Sequence, residues 1–334
     1  MGWIARERMM FISVSALLIS SLLLRRIPSY SLSDLKTVYF LFLLFTTTRS
    51  LERSEFFDSI AFKLRGRRAH GIVFASAFLS ALVTNDVSLF ITVPITLSLD
   101  IPSGDKEKLV ILEAIVANGF SALTPFGNPQ NIFIHVHYSL KFLRITETIY
   151  PLPIAVLLLA LLLSGRIRIG LESAKYNLSK GWWVDLISLI IVALAVIDLV
   201  PDFLTVVSLA IVLRRPSVLK GIDYPLLITF LAFFGFTDNL KSFLNVSISG
   251  KTVFLSTVAL SQLISNVPAT LIMADFTSDW KGILWGSNVG GFGTLVASLA
   301  NLIAYRMYGF SVLKFTLYNI AFLVMGITLG LIFT

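Results

Sequence analysis

Short polar stretches interrupt apolar segments at two places in the first half of the chain. The first is Thr84-Asn85-Asp86, which lies within the otherwise apolar residues 80–94, and the second is NGFSALTPFGNPQN at residues 118–131. An unpaired backbone polar group costs several kcal/mol in hydrocarbon, so a helix that is broken inside a membrane has to line a cavity enclosed by protein. Both breaks are therefore candidate parts of one binding site.

The second half of the chain carries a matching pair of breaks. Ser265-Asn266 corresponds to Thr84-Asn85, and SNVGGFGT at residues 287–294 corresponds to the other break. Apolar segments that are interrupted at corresponding positions of two halves are the best sequence indication of a secondary transporter's binding site. A constant offset pairs three residues of one break with three of the other: Asn118 with Asn288, Thr124 with Thr294, and Asn131 with Asn301.

The composition indicates whether the chain folds in water or in a lipid bilayer. Hydrophobic residues make up 56% of the 334 residues and charged residues 14%, whereas soluble proteins carry about 25% charged residues. The mean hydropathy is +0.86. We therefore predict an all-α polytopic membrane protein that lies in the lipid bilayer of a prokaryotic plasma (inner) membrane.

Charge and cysteine content exclude several classes of function. The net charge of +8 resides in short loops between apolar segments, as the positive-inside rule describes, and does not indicate a nucleic-acid partner. The absence of cysteine excludes disulfides, thiolate metal sites and cysteine nucleophiles. There is no Walker lysine motif, H-E-x-x-H motif or nucleophile elbow. These observations favour a transporter without a cofactor over a membrane-embedded enzyme, and a non-transporting scaffold is a further alternative.

Hydropathy divides the chain into four regions. These are an N-terminal transmembrane helix in residues 1–31, a first transport repeat in 32–164, a basic connector with a transmembrane helix pair in 165–220, and a second repeat in 221–334. Each repeat is predicted to contain a re-entrant hairpin and a broken transmembrane helix. The first apolar run lacks a cleavage site after it, so we expect a retained helix rather than a signal peptide.

The apolar segments beside the polar turns are short. Residues 71–83 span only about 20 Å as a helix, which is too short for a hydrocarbon core of about 30 Å. We therefore expect a re-entrant hairpin that turns at residues 84–86 and a second hairpin over residues 252–274. The other predicted segments are broken crossings at 109–140 and 280–305, and helices at 9–24, 35–48, 150–164, 184–199, 204–213 and 312–333.

Loop charge sets the predicted orientation. If the N-terminus and the loop at residues 49–68 lie in the cytoplasm, most of the 27 Lys and Arg residues lie on the cytoplasmic side of the membrane, as the positive-inside rule predicts. The second repeat then starts from the opposite side to the first, so the two repeats are inverted. Apolar residues recur at helical spacing in the 49–68 loop: Phe56, Phe57, Ile60, Ala61 and Leu64. This pattern predicts an amphipathic helix at the membrane interface, and the alternative is an ordinary basic loop.

Helix ends at the breaks supply the predicted binding chemistry. Helix N-termini carry about half a positive charge and unpaired N–H groups, which attract anions. Asn and Thr side chains add neutral donors and acceptors, and exposed carbonyl groups are oxygen ligands for Na⁺, the only metal ion predicted. The predicted substrate-binding residues are Thr84, Asn85, Asn118, Thr124, Pro125, Gly127, Asn128, Ser265, Asn266, Asn288 and Thr294, and the predicted coupling-ion residues are Asp86, Asn131, Gly290 and Gly291.

Several of these residues have alternative interpretations. The breaks are alternatively helix kinks and caps, although four breaks in matching pairs favour a site. Asp86 is a candidate to bind Na⁺, to carry a proton or to cap the following helix. His135 and His137 are candidate proton carriers or hydrogen-bonded residues at a helix end. The glycines at 290, 291 and 293 are expected to permit unusual backbone angles and close approach.

Three motifs resemble those of the ion transporter superfamily, which includes arsenite permeases, Na⁺/H⁺ antiporters, citrate permeases and divalent-anion/Na⁺ symporters. They are TNDVSLFITVP at 84–94, ANGFSALTPFGNPQN at 117–131 and SNVPA at 265–269. The likeness is greatest to the poorly characterised prokaryotic anion-permease branch and covers about residues 32–334. It implies a homodimer in which the part bearing the hairpins moves as an elevator.

The resemblance also implies a function. In the symporter branch, Ser-Asn-Thr turns at both hairpin tips bind a carboxylate substrate beside Na⁺, so Asn85 and Asn266 are implied ligands, whereas Asp86 and Val267 depart from the family threonine. We predict a secondary active transporter of an inorganic or carboxylate anion, coupled to Na⁺ or H⁺. The alternatives are a Na⁺/H⁺ antiporter that uses Asp86 and an arsenite or antimonite efflux permease.

Overall fold

Helices form every regular element in the part of the chain that the structure describes. The computed structural model describes residues 8–57, 59, 69–165, 167, 178–243 and 248–334. Most of the predicted interfacial helix and most of the basic connector lie outside these residues. The helices are α1 (Arg8–Leu24), α2 (Leu32–Glu52), α3 (Ala69–Leu82), α4 (Asn85–Ser98), α5 (Ser103–Phe120), α6 (Pro129–His137), α7 (Phe142–Ile149), α8 (Pro151–Ser164), α9 (Trp182–Val196), α10 (Leu209–Arg214), α11 (Tyr224–Phe243), α12 (Lys251–Ile264), α13 (Asn266–Ala274), α14 (Trp280–Val289), α15 (Leu299–Tyr308) and α16 (Val312–Phe333).

The helices break at the predicted polar stretches. The break between α3 and α4 lies at residues 83–84, and the break between α12 and α13 lies at Ser265. Longer interruptions separate α5 from α6 and α14 from α15, each containing a short 3₁₀ segment, at Ser121–Leu123 and Leu295–Ala297. The helix breaks are thus confirmed. Re-entry of the hairpins and inversion of the repeats stay predictions.

Side-chain caps explain where several helices begin. Ser31 and Asp34 form a reciprocal capping box at the start of α2. Thr84 Oγ1 accepts a hydrogen bond from the N–H of Val87 at the start of α4, at a distance of 3.4 Å. Asn128 Oδ1 accepts the N–H of Asn131 at 2.9 Å. These side chains satisfy N–H groups that have no partner within the helix.

One predicted helix is not formed as expected, and one helix of the structure was not predicted. Residues 204–213 were expected to form one helix, but a 3₁₀ segment over Asp202–Ser208 precedes the short α10. The Thr205 hydroxyl donates to the Asp202 carbonyl at 2.5 Å, and such local side-chain bonds compete with regular helix. The amphipathic α7 was not expected, although Ile145 and Ile149 lie one turn apart and are fully buried.

The outer helices present apolar surface. On α8, residues Ile154, Leu158 and Leu162 recur every four positions and are 46%, 61% and 77% exposed. Contiguous apolar surface of this kind indicates contact with lipid or with another protein. Among the described helices, α16 alone combines the length and hydropathy of a membrane span, and α7 with α8 forms a second candidate that bends by 49°.

The helices pack into two groups. In one group, α3, α4 and α5 contact one another, as do α12, α13 and α14 in the second half of the chain. The two sets are joined because α15 packs against α4 and α5, while α6 packs against α13 and α14. In the other group, α11 packs against α1 and α2, and α9 packs against α2. Contacts of α2 with α6 and of α11 with α13 connect the two groups.

Candidate solute-binding site

Buried asparagines join the two halves of the chain. Asn118 Nδ2 donates to Asn301 Oδ1 at 2.7 Å, and Asn288 Nδ2 donates to Asn131 Oδ1 at 2.9 Å. All four side chains are at most 4% exposed. The offset that pairs Asn118 with Asn288 also pairs Asn131 with Asn301, so each bond is the counterpart of the other. Reciprocal contacts of this kind are what a two-fold relation between similar units produces.

A second reciprocal pair surrounds the first. The Ser298 hydroxyl donates to Asn118 Oδ1 at 2.8 Å, and Asn128 Nδ2 donates to Asn288 Oδ1 at 3.1 Å. The same offset relates Asn128 to Ser298. Ser298 was not among the predicted site residues, although the offset alone would have identified it. Both side chains also cap the following helices, so the cap interpretation is correct for these positions without excluding a site.

Both short turns reach this asparagine cluster. Asn85 Nδ2 donates to Asn118 Oδ1 at 3.1 Å, and the Asn85 N–H donates to the Gly127 carbonyl at 3.0 Å. In the second half, a Cβ atom placed on Gly291 would lie 3.1 Å from Asn266 Nδ2 and 3.8 Å from Asn118 Cγ. The N-terminal ends of α4 and α13 therefore meet around Asn118 and Gly291.

Side-chain amides bind the carbonyl groups of the interrupted segments. Asn131 Nδ2 donates to the carbonyls of Ala122 and Thr124 at 3.1 and 3.2 Å. Asn301 Nδ2 donates to the carbonyls of Gly291 and Thr294 at 3.1 and 3.2 Å. The carbonyls of Thr124, Gly291 and Thr294 each accept a second hydrogen bond as well. Both lone pairs of these oxygens are therefore used, and a cation bound there would have to displace one of these bonds.

Gln262 is a further residue of this region that sequence reasoning missed. Its Nε2 donates to the carbonyls of Gly290 and Phe292, both at 3.0 Å, and its Oε1 accepts the Thr294 N–H at 3.0 Å. Gln262 lies less than one helical turn before the Ser265-Asn266 turn. This proximity was the only feature of the sequence that indicated a place in the site. Gln262 therefore ties the two breaks of the second half together.

Thr124 and Thr294 hold the longer breaks against the helices that precede the short turns. Thr124 Oγ1 donates to the Ala81 carbonyl at 2.8 Å, and Thr294 Oγ1 donates to the Gln262 carbonyl at 3.4 Å. Thr294 is exposed, whereas Pro125 is buried in the turn before Gly127. A Cβ atom on Gly127 would overlap the Ser121 carbonyl oxygen, so a larger residue there would force the turn apart.

Backbone geometry separates the roles of the glycines. Gly290 has an ordinary helical φ of −61°, and a Cβ atom there would overlap Ser261 Oγ, so its role is close approach. Gly293 adopts φ +99° and supplies the unusual backbone angle. Ser265 has φ +76° and ψ 153°, a conformation that is essentially restricted to glycine and stores strain in other residues.

The ionisable candidates lie around the cluster rather than within it. Asp86 occupies the first turn of α4, is partly exposed, and donates its backbone N–H to Asn85 Oδ1 at 3.0 Å. Its carboxylate is not the cap of α4, because Thr84 fills that role. His135 and His137 lie in the last turn of α6, and His135 Nε2 is 3.8 Å from an Asp198 carboxylate oxygen.

A cavity of about 260 Å³ lies away from the asparagine cluster. It opens between the residues before α2, the end of α11 and the end of α13, and its walls include Asp34, Asp238, Lys241 and Asp275. Phe133 of α6 also lines it. The cavity therefore lies where the two groups of helices meet.

Helices that are broken at paired polar turns, joined by buried amides and surrounded by exposed apolar side chains, define a helical membrane transporter. The model of the citrate transporter family matches residues 1–278. The chain belongs to this family, within the ion transporter superfamily, and is an integral membrane protein. The resemblance that the motifs indicated is thereby confirmed.

Two relatives extend the match over nearly the whole chain. The uncharacterized transporter MJ0456 of Methanocaldococcus jannaschii is 34% identical over 319 residues, which is 90% of this chain and 88% of the relative. The inner membrane protein YbiR of Escherichia coli is 33% identical over 327 residues, which is 89% of this chain and 87% of the relative. These similarities support a transporter rather than an enzyme.

Proposed function

We propose that this chain is a secondary active transporter that moves an inorganic or carboxylate anion together with Na⁺ or H⁺. The observation that carries the proposal is the meeting of two helix N-termini, at Asn85 and Asn266, around Asn118 and Gly291. Helix N-termini present a partial positive charge to an anion. At α4 only this charge is available to the anion, because the first three N–H groups of the helix already have partners within the chain. The neutral amides beside them add hydrogen-bond donors without adding a fixed positive charge.

The proposed transport unit consists of two inverted repeats with re-entrant hairpins. Helices α3 and α4 form one hairpin, and α12 and α13 form the other. The reciprocal bonds of Asn118 with Asn301 and of Asn288 with Asn131 support a two-fold relation between the repeats. In this arrangement both hairpin tips lie at the centre of a prokaryotic plasma membrane, with the N-terminus in the cytoplasm.

The proposed movement is of the elevator type within a homodimer. Helices α1, α2, α9 and α11 would form the stationary part, since they pack mainly on one another. The hairpins, together with α5, α6, α14 and α15, would move as one body because reciprocal bonds and packing join them. The sliding surface would then lie between α2 and α6 and between α11 and α13.

A second candidate is a Na⁺/H⁺ antiporter with Asp86 as the exchanging carboxylate. The observation that favours it is the position of Asp86 in the first turn of α4, directly after Asn85. Asn131, Gly290 and Gly291 are the other proposed coupling-ion residues. A third candidate is an arsenite or antimonite permease, and only the family resemblance supports it.

Transport by site variants tests the proposed site. Asn85→Ala and Asn266→Ala are expected to abolish uptake of citrate by proteoliposomes in a Na⁺ or pH gradient, because each removes an amide at a helix N-terminus. Asn319→Ala is the matched control, since Asn319 is a fully buried asparagine of α16 whose side-chain atoms make no hydrogen bond within the described residues. Normal uptake by both site variants would refute the site.

Thermal unfolding identifies the solute class without a transport assay. The unfolding temperature of the wild type would be measured across a Na⁺ series with citrate, other anions or arsenite. A ligand at 100 times its Kd stabilises the folded state by about 2.7 kcal/mol. Stabilisation by an anion only with Na⁺ supports symport. Stabilisation by Na⁺ alone that increases with pH instead supports the antiporter.

A further inference from the structure

A second acidic residue lies deep among the helices and away from the polar breaks. Glu113 occupies the third turn of α5 and is fully buried. Helices α3, α4, α8 and α15 pack around α5. An acidic residue within a membrane-spanning segment indicates a functional site more often than a structural one. Glu113 was not among the predicted site residues, because it lies within an otherwise regular helix.

Only part of the hydrogen-bonding capacity of the Glu113 carboxyl group is used. The Thr96 hydroxyl donates to Oε1 at 2.5 Å, whereas Oε2 is buried without a hydrogen-bond partner among the described residues. The hydroxyl of Thr92, one turn before Thr96 on α4, is likewise buried and without a partner there. Two buried oxygen atoms without a partner among the described residues therefore occur on the packed helices α4 and α5.

The surroundings suit a proton better than a metal ion. The space beside Thr92, bounded by Ile72, Ala75 and Ile95, leaves no room for a water molecule. The nearby serine hydroxyls are already used, because Ser76 donates to the Glu113 carbonyl at 3.3 Å and Ser88 donates to the Ser76 carbonyl at 2.7 Å. A metal ion would need several free oxygen ligands, whereas a proton needs only the carboxylate.

Among the described residues, no basic side chain pairs with the Glu113 carboxyl group. On the helices that contact α5, the ionisable side chains of the described residues lie in the first two or last two turns: His70, Asp86, Lys281, Tyr305, Arg306, Tyr308, Lys314 and Tyr318. The other ionisable side chains of α5 lie in its first two turns: Asp105, Lys106, Glu107 and Lys108. An ionised carboxylate without a partner is costly to bury, and binding of H⁺ removes that cost.

We propose that Glu113 is a proton-binding site of the transport unit and that it takes up one H⁺ and releases it in each transport cycle. The step is the reversible addition of H⁺ to the carboxylate, and no other bond forms or breaks. Its connections make it suited to coupling, because the Glu113 side chain binds α4 and its carbonyl binds α3. Helix α3 ends just before the Thr84-Asn85 turn and α4 begins at it. Glu113 also precedes Asn118 by about 7.5 Å along the axis of α5.

Infrared spectroscopy of the full-length protein in lipid tests proton binding without any solute. The wild type is expected to show the carbonyl band of a protonated carboxylic acid that disappears reversibly as pH is raised. Glu113→Gln should lack this titrating band, and Asp86→Asn should retain it. Thr96→Val keeps the carboxyl group without its donor and should shift the pH midpoint of the band. An identical titrating band in Glu113→Gln, or a wild-type band that never titrates while the protein stays folded, would overturn the proposal.

Proton movement in proteoliposomes tests coupling and rests on the proposed transport function. With citrate outside and a pH-sensitive dye inside, the number of protons moved per citrate is expected to fall at least tenfold in Glu113→Gln. An unchanged ratio would refute coupling through this residue. If the wild type does not move citrate, citrate transport fails, while the infrared experiment still decides whether Glu113 binds a proton.

Discussion

Asn118 makes four side-chain hydrogen bonds, three of which join the two halves of the chain. Its Oδ1 accepts from Asn85 and Ser298, and its Nδ2 donates to Asn301 and, at 3.5 Å, to the Gly291 carbonyl. An asparagine side chain has two donor hydrogens and two acceptor lone pairs. Every one of them therefore has a partner within the candidate site. A residue without an amide would remove the partner of three groups, Asn85 Nδ2, the Ser298 hydroxyl and Asn301 Oδ1, whereas the Gly291 carbonyl would keep its bond from Asn301.

Replacement of two buried asparagines by leucine is expected to change stability in opposite directions. Asn118→Leu should lower the free energy of unfolding by about 1–3 kcal/mol or more, because it leaves buried partners unsatisfied. Asn319→Leu should raise it, because neither side-chain atom of Asn319 has a hydrogen-bond partner among the described residues. Thermal unfolding in detergent measures both changes. A loss of stability in Asn319→Leu that equals the loss in Asn118→Leu would contradict the assigned contacts.

The residues that sequence reasoning missed depend on contacts between helices. Polar turns are visible as interruptions of apolar sequence, so the paired breaks and their asparagines were predictable. Glu113 and Gln262 lie inside helices, and their importance depends on which groups of neighbouring helices they meet, such as Thr96 or the Gly290 carbonyl. Periodicity along one helix carries no information about those partners.

At the scale of helices, the two short turns differ in backbone strain. Thr84 lies in the extended region, with φ −150°, and caps α4 with its side chain. Ser265 between α12 and α13 has φ +76° and makes no side-chain cap of α13. Strained residues of this kind persist where the surrounding structure enforces them, and they cluster at ligand-binding sites. The second turn therefore stores strain that the first does not.

Ser265→Gly is expected to raise stability and to lower transport. Relief of backbone strain should raise the free energy of unfolding by about 1 kcal/mol or more, whereas loss of the hydroxyl should weaken binding of the proposed anion. Ser139→Gly is the matched control, because Ser139 has φ +51° just after α6, outside the candidate site. It should gain stability with unchanged transport. Equal transport effects in both variants would show that Ser265 does not contact the solute.

Helix boundaries were predictable where apolar sequence ends abruptly. The last helix was predicted at residues 312–333 and occupies Val312–Phe333, since Ser311 caps its start. The start of α5 was predicted at residue 109, but the helix begins at Ser103. Its first two turns are charged, and hydropathy does not detect a helix that continues beyond apolar sequence. The same limitation concealed α7, which is amphipathic.

At the scale of the whole molecule, the proposed elevator requires the two groups of helices to slide past each other. Phe133 of α6 and Phe234 of α11 meet at this boundary, with ring centroids 5.5 Å apart. Both residues also line the cavity of about 260 Å³. A covalent link at this contact would join the proposed moving part to the proposed stationary part.

Cross-linking at this boundary is expected to stop transport. The chain contains no cysteine, so Phe133→Cys with Phe234→Cys provides the only pair of thiols for a short membrane-permeant bifunctional reagent. Transport should fall at least tenfold after cross-linking and recover when a cleavable reagent is reduced. Tyr305→Cys with Phe310→Cys is the control, because these rings lie 5.4 Å apart, with Tyr305 on α15 of the proposed moving part and Phe310 in the segment that directly follows α15. Full activity of the cross-linked Phe133 pair would exclude sliding at this surface.

The reciprocal asparagine bonds also have a consequence for biosynthesis. Asn118 and Asn131 emerge from the ribosome long before their partners Asn301 and Asn288. At about 5–20 residues per second, the delay is on the order of ten seconds. During that interval the polar groups of the first half lack their final partners, which favours retention of the nascent chain by the insertion machinery. A chain truncated before Asn288 would never complete these bonds, so its unpaired amides would mark it for membrane quality control.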